Sequence, residues 1–154
     1  MTLQIAPLSA EDRAPWETLA RGYKAFYNTE TTPAEYETAW RRLLLREDVF
    51  GLGAKLDGRL VGITHYLFHT SVWSPRVGGV GGVGGACYLQ DLFVAQAERG
   101  HGVARTLIEA VGAAAREAQA TRCYWLTQDH NAVARSLYDK VARFKGFIRY
   151  DFPL

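Results

Sequence analysis

No apolar run in these 154 residues approaches the length of a membrane span, and the opening MTLQIAPLSAED has neither a basic n-region nor an apolar h-region. Cysteine is scarce. Cys87 and Cys123 both fall inside predicted strands, which reads as two buried thiols in a reducing compartment rather than a disulfide framework. These absences predict a cytoplasmic setting with no membrane partner. A large charge of either sign is also missing: the formal excess is +2, arginines are scattered and no run of like charge reaches five residues, so nothing implies nucleic acid. Metal-ligand spacing is absent as well. His65 and His69 would lie on one strand face about 13 Å apart at strand rise, and His101 and His130 fit no metal motif. Such histidines read as surface residues, and no metal is expected.

What is present is a globular composition, 48% apolar and 22% charged, in a chain long enough for one core. Residues 1–154 are read as a single domain. Thr2–Leu8 alternates as a first strand. Trp16, Leu19, Ala20, Tyr23, Phe26 and Tyr27 then recur at spacings of three and four, the stripe of an amphipathic helix, with Asp12 as N-cap and Pro15 in the first turn. Thr32, Pro33 and Glu35 announce a second helix: a capping residue, a proline at the first position and an acid three residues after the cap. Val49–His69 reads as a hairpin turning at Asp57-Gly58. A strand at Cys87–Val94, a helix at Val103–Ala118, a strand at Arg122–Thr127, a helix at Asn131–Lys145 and a last strand at Gly146–Phe152 follow. The expected class is α/β with a mixed sheet.

Two glycine-rich stretches compete as a phosphate cradle. VGGVGGVGGA (Val77–Ala86) holds six glycines in ten residues but leads into a strand and lacks the lysine and Ser/Thr of a P-loop. It reads as a flexible surface loop able to act as a lid. RGHGVA (Arg99–Ala104) instead follows a strand and opens a helix, whose free N–H groups and partial positive charge suit a phosphate. A dinucleotide fingerprint would need glycine at 105, where the chain has Arg105.

These motifs resemble the GNAT superfamily of acyl-CoA-dependent N-acyltransferases. The family signature Q/R-x-x-G-x-G/A is matched by Arg99, Gly102 and Ala104 after the strand YLQDLFV, and N-x-x-A-x-x-x-Y by Asn131, Ala134 and Tyr138 on the following helix. The element order fits the family fold over nearly the whole chain. The resemblance implies a mixed, mostly antiparallel sheet flanked by helices and splayed between the motif strand and the next, with acetyl-CoA lying in the opening. Backbone groups of Leu92, Phe93 and Val94 would pair with the pantetheine arm. Arg99 adds a charge, the N–H groups of Gly100, His101, Gly102, Val103, Ala104 and Arg105 would hold the pyrophosphate, and Asn131 would bond the arm from the other side. Two departures stand out. Gln90 occupies a position where some members carry glutamate. Gly146 follows Tyr138 by eight residues where four is usual, read as about one extra helical turn.

The implied reaction is direct attack of a primary amine on the thioester carbonyl. An alkylamine with a pKa near 10.4 is protonated at neutral pH, so a base is needed. Glutamine cannot serve. Asp91 or Asp129, acting through a water, is expected to take the proton. The N–H groups around Leu92 and Phe93 would hold the oxyanion, and Tyr138 would protonate the departing thiolate while its ring packs in the helix stripe. Tyr27, Glu30, Trp73 and Asp129 are expected to wall the acceptor pocket. A polyamine, a lysine side chain, a protein N-terminus and an amine-bearing antibiotic all fit, and a homodimer, common in the family, stays open. The competing reading is a non-catalytic acyl-CoA-binding or sensor module.

Overall fold

The computed structural model describes residues 1–74 and 85–154. Its strands, β1 (Leu3–Pro7), β2 (Val49–Leu56), β3 (Arg59–His69), β4 (Ala86–Val94) and β5 (Arg122–Tyr124), form one sheet in the order β1-β2-β3-β4-β5. The first four pair antiparallel and β4 pairs β5 in parallel, as the mixed-sheet expectation required. On one face, α1 (Arg13–Phe26) and α2 (Pro33–Leu45) bury Trp16, Leu19, Tyr36, Trp40 and Leu43 against Leu60 and Ile63. On the other, α3 (Val103–Glu117) buries Leu107, Ile108 and Val111 against Val61, Tyr66 and Leu89. Each such side chain contributes about 1.5–3 kcal/mol when removed from water.

Local chemistry sets the element ends. Thr32 accepts the Glu35 N–H at 3.3 Å, and the Glu35 carboxylate accepts the Thr32 N–H at 2.7 Å, closing the capping box with Pro33 at the first helical position. At α1 the cap differs from expectation. A 3-10 turn, Ala10–Asp12, precedes the helix. Asp12 does not cap the next turn with its side chain; its carboxylate reaches back to the Ser9 N–H at 2.9 Å and receives Lys55 Nζ at 2.8 Å. Pro15 still falls in the first turn of α1, where its missing donor is harmless. The hairpin turns at Asp57 and Gly58, both with positive φ, as a tight two-residue loop requires.

Three features position the site. A β-carbon at Gly22 would lie 2.8 Å from the Phe93 ring, so only glycine lets α1 approach β4 this closely. β4 carries one extra residue: His65 pairs with Asp91 but Tyr66 pairs with Leu89, leaving Gln90 as a bulge. The bulge reverses the side-chain alternation. Cys87 and Leu89 pack under α3, whereas Phe93 joins the α1–α2 cluster. Finally, β5 pairs with β4 from Ala86↔Arg122 to Tyr88↔Tyr124 and no further, so among the described residues β4 runs on from Leu89 to Val94 with no strand neighbour on that side.

The C-terminal third departs from the sequence expectation. The third helix matches, but β5 stops at Tyr124, and α4 (Ala132–Val141) ends well before Lys145. The additional residues after Tyr138 therefore do not extend the helix. Its apolar face ends with Leu137, Tyr138 and Val141, and beyond them no core remains to cover. The expected strand at Gly146–Phe152 is not formed either, because it finds no partner strand among the described residues; Phe147 and Phe152 are 84% and 85% exposed. Cys87 and Cys123 sit at paired positions as free thiols, the first buried and the second half-buried. The stretch at Val77–Ala86 lies almost wholly outside the described residues.

Candidate active site

The bulge turns Asp91 onto the α1 face, where three side chains from two elements, β3 and α1, converge on it. His65 Nδ1 on β3 lies 2.9 Å from Asp91 Oδ2. Tyr23, the residue after the close-packing Gly22, donates its hydroxyl to the same carboxylate. Lys24 adds a positive charge nearby. Burial pushes the Asp91 carboxyl up, but the hydrogen bonds from His65 and Tyr23 and the Lys24 charge outweigh it, so the pKa falls below the ordinary value and Asp91 is ionised at neutral pH. Burial and the Asp91 charge push the Tyr23 phenol far up, which leaves it a donor.

Beyond Asp91 the cluster continues to the opening between β4 and β5. Tyr27, just past the end of α1, has its phenol raised by burial and by the Asp91 charge. Tyr138 on α4 has its own raised by burial and by Tyr27. Its ring meets Trp125 edge-on at 5.3 Å and joins the stripe with Leu137 and Val141, so packing and an available hydroxyl coexist. A raised pKa keeps that phenol protonated and able to donate.

The RGHGVA loop lies past the end of β4. Gly100 and Gly102 have φ of +83° and +79°, a region that favours glycine, and Gly102 stands at the N-cap of α3 without a side-chain cap. The first bond of the helix runs from Thr106 N–H to Gly102 O at 3.0 Å. The N–H groups of Val103, Ala104 and Arg105 thus open outward. Arg99 folds back, with Nε donating to Val94 O at 3.2 Å, and serves to tie the loop to β4. His101 is exposed. Asn131 caps α4, accepting from Ala134 N–H at 3.4 Å.

The structure does not gather every expected acceptor residue. Tyr27 joins the cluster. Glu30 is exposed, Trp73 is 90% exposed, and the Asp129 side chain is 98% exposed with His130 against it. What lies beside Asp91 instead is a groove of about 400 Å³ whose lining includes Glu35, Thr38 and Arg42 of α2 together with His65, Gln90 and Asp91. Glu35, Thr38 and Arg42 are spaced along one helix face, a signal legible in the sequence. His65 was not legible. It read as a surface histidine, and its partners are 26 and 49 residues away.

Among the described residues no helix is long and apolar enough to cross a membrane, and no group of three or more His, Cys, Asp or Glu is placed to hold a metal. The model of the acetyltransferase (GNAT) family matches residues 15–144. The chain is 30% identical over 143 residues to the D-amino-acid N-acetyltransferase HPA3 of Saccharomyces cerevisiae, covering 90% of this chain and 83% of that protein. The fold is shared with an aminoglycoside acetyltransferase, AAC(6')-Iy, solved with a bisubstrate analogue (TM-score 0.83, 15% identity, 100% and 99% of the two chains). It is shared also with a ribosomal-protein-alanine N-acetyltransferase from Brucella melitensis biovar Abortus 2308 (TM-score 0.75, 21% identity, 99% and 100%). With a family match over most of its length and an N-acetyltransferase relative over nine-tenths of it, this chain is an N-acetyltransferase and belongs to the GNAT family.

Proposed function

We propose that the protein transfers the acetyl group of acetyl-CoA to a primary amine by direct attack in a ternary complex. One observation carries the reading: an ionised carboxylate, Asp91, ends a groove on one side of β4, while a protonated phenol, Tyr138, stands toward the opening on the other. The open N–H groups at the start of α3 suit the pyrophosphate of acetyl-CoA, and the unpaired edge from Leu89 to Val94 suits its amide-bearing arm.

Asp91 draws the acceptor ammonium into the groove. Neutralising an alkylamine at pH 7 costs about 4–5 kcal/mol, and a carboxylate is too weak a base to hold that proton in the ground state. The ammonium first gives up one proton to solvent, and the neutral amine is the nucleophile; Asp91 then accepts a second proton through a water as the nitrogen bonds to the carbonyl carbon and becomes acidic. The backbone N–H groups around Leu92 and Phe93 hold the developing oxyanion. The C–S bond then breaks and the Tyr138 hydroxyl gives its proton to the sulfur. Asp129, bathed in solvent, is set aside as the base. Arg42 on the same groove supplies a cation for an acceptor that carries a carboxylate beside its amine. This favours an amino acid, the substrate class in the name of the yeast relative. We read the assembly as a homodimer of this chain. Its support is the C-terminal run of Phe144, Phe147, Ile148, Tyr150 and Phe152, each at least 70% exposed, together with a sheet edge at β5 that no other strand covers among the described residues.

The test begins with calorimetric titration of acetyl-CoA, with ATP and NAD in parallel. Thiol release follows, with D- and L-amino acids, spermidine, an aminoglycoside and a lysine peptide as acceptors. Selective acetyl-CoA binding with amine-dependent release supports the reading. Failure of folded protein to bind acetyl-CoA or CoA overturns it, and binding without release across the panel points to the non-catalytic module. Sedimentation of the full chain and of a chain ending at Lys145 reads the assembly: a dimer that becomes a monomer is expected, and a monomeric full chain overturns the dimer.

A further inference from the structure

Both ring nitrogens of His65 are engaged. Trp16 Nε1 lies 2.9 Å from Nε2, and Asp91 Oδ2 lies 2.9 Å from Nδ1. The indole N–H can only donate, so Nε2 must accept and carries no proton. The single imidazole proton is then on Nδ1, donated to the carboxylate. Trp16 itself cannot turn away: it is 1% exposed, lies against Trp40 at 5.0 Å between ring centroids, and meets Tyr36 edge-on at 6.3 Å. The chain of donors runs one way, from indole to imidazole to carboxylate, and its far end opens on the groove.

We propose that His65 and Trp16 are positioning residues for Asp91: the indole fixes the imidazole tautomer, and the imidazole fixes one carboxylate oxygen, leaving the rest of the carboxylate to Tyr23 and the incoming amine. The inference rests on the reading of Asp91 as the acceptor-side carboxylate. It also removes the obvious rival. A histidine facing an acceptor groove invites the role of general base, but this one has its only lone pair occupied by Trp16 and its only proton committed to Asp91. With neither nitrogen free, it acts through the carboxylate.

Two isosteres separate positioning from mere packing. An asparagine amide overlays the Nδ1 side of imidazole and retains a donor toward Asp91, whereas a glutamine amide overlays the Nε2 side and does not. With the best acceptor of the amine panel, His65→Gln is expected to lower kcat by roughly tenfold to a hundredfold, the range for groups that orient a reactive ligand. The KM for acetyl-CoA should stay at its wild-type value, and His65→Asn should recover most of the loss. Equal kcat in the two variants, or a His65→Gln enzyme as fast as wild type, overturns the inference. A nitrogen–proton correlation spectrum of the wild-type protein must place the His65 proton on Nδ1. A proton on Nε2 overturns it too, and needs no variant to fold. Asp91→Asn keeps the two failures apart. Unchanged turnover there sinks the role of Asp91 itself, while slow Asp91→Asn beside a fast His65→Gln sinks only the positioning.

Discussion

Asp91 and Tyr138 are the two groups assigned to move protons, and their supports contrast. Asp91 sits on a central strand, hydrogen-bonded by His65 and Tyr23, under helices that bury Trp16, Tyr36 and Trp40. Tyr138 sits on α4, a helix of ten residues with none fully buried, followed by a run of exposed aromatic side chains. The acceptor side is thus organised by the chain alone. The side proposed for the leaving group borders the opening between β4 and β5 and the exposed C-terminus, with fewer buried neighbours of its own.

Removing the ordered side should do the most damage. Asp91→Asn keeps the shape and discards the charge, and kcat/KM for the amine is expected to fall by about 10²–10⁴; a loss under tenfold would place the base elsewhere. The same variant reads the linkage. Because the folded pKa of Asp91 lies below the ordinary carboxylate value, its stabilisation is full above the unfolded pKa of about 3.9 and is lost as pH falls through the folded one. Acid unfolding of wild type should therefore steepen below about pH 4, and Asp91→Asn should flatten that limb. Tyr138→Phe probes the looser side. It should reduce kcat by roughly a hundredfold while leaving acetyl-CoA affinity in calorimetry unchanged.

Between the two lies the α3 cradle. Gly102→Val forces a β-branched residue to a φ of +79°, costing about 1–2 kcal/mol. Its expected mark is weaker acetyl-CoA binding and a lower melting temperature, with the acceptor KM unaltered. The smallest effect belongs to Thr32→Ala. Loss of that cap should lower stability by about 1 kcal/mol in chemical denaturation, with kcat unchanged, because Tyr36, Trp40 and Leu43 still seat α2.

The contrast also marks what could be read in advance. Short-range chemistry was legible: the Thr32–Glu35 cap, the Asp57-Gly58 turn and the glycines opening α3 each declare themselves within a few residues. Asp91 and Tyr138 were named from their motif places and Tyr27 from the segment joining the first two helices, and the three lie close enough for their charges to act on one another in sequence, Asp91 on Tyr27 and Tyr27 on Tyr138. His65 escaped because the two groups that define it are distant in sequence and no local pattern announces them. The end of α4 and the unformed last strand escaped for another reason. An alternating apolar segment says that it wants a strand partner, and not whether this chain supplies one.

Gln90 imposes an arithmetic constraint on how such a site can be inherited or redesigned. Substitution there alters a groove wall and leaves the register intact. What the site cannot accept is position 90 taken into the ladder: regular alternation would then put Asp91 on the face of Leu89, swinging the carboxylate into the apolar layer beneath α3, among Leu89, Ile108 and Val111. An ionised group buried there without partners is costly. The residue at position 90 is therefore constrained less by what it is than by where it stays, outside the pairing of β3 with β4.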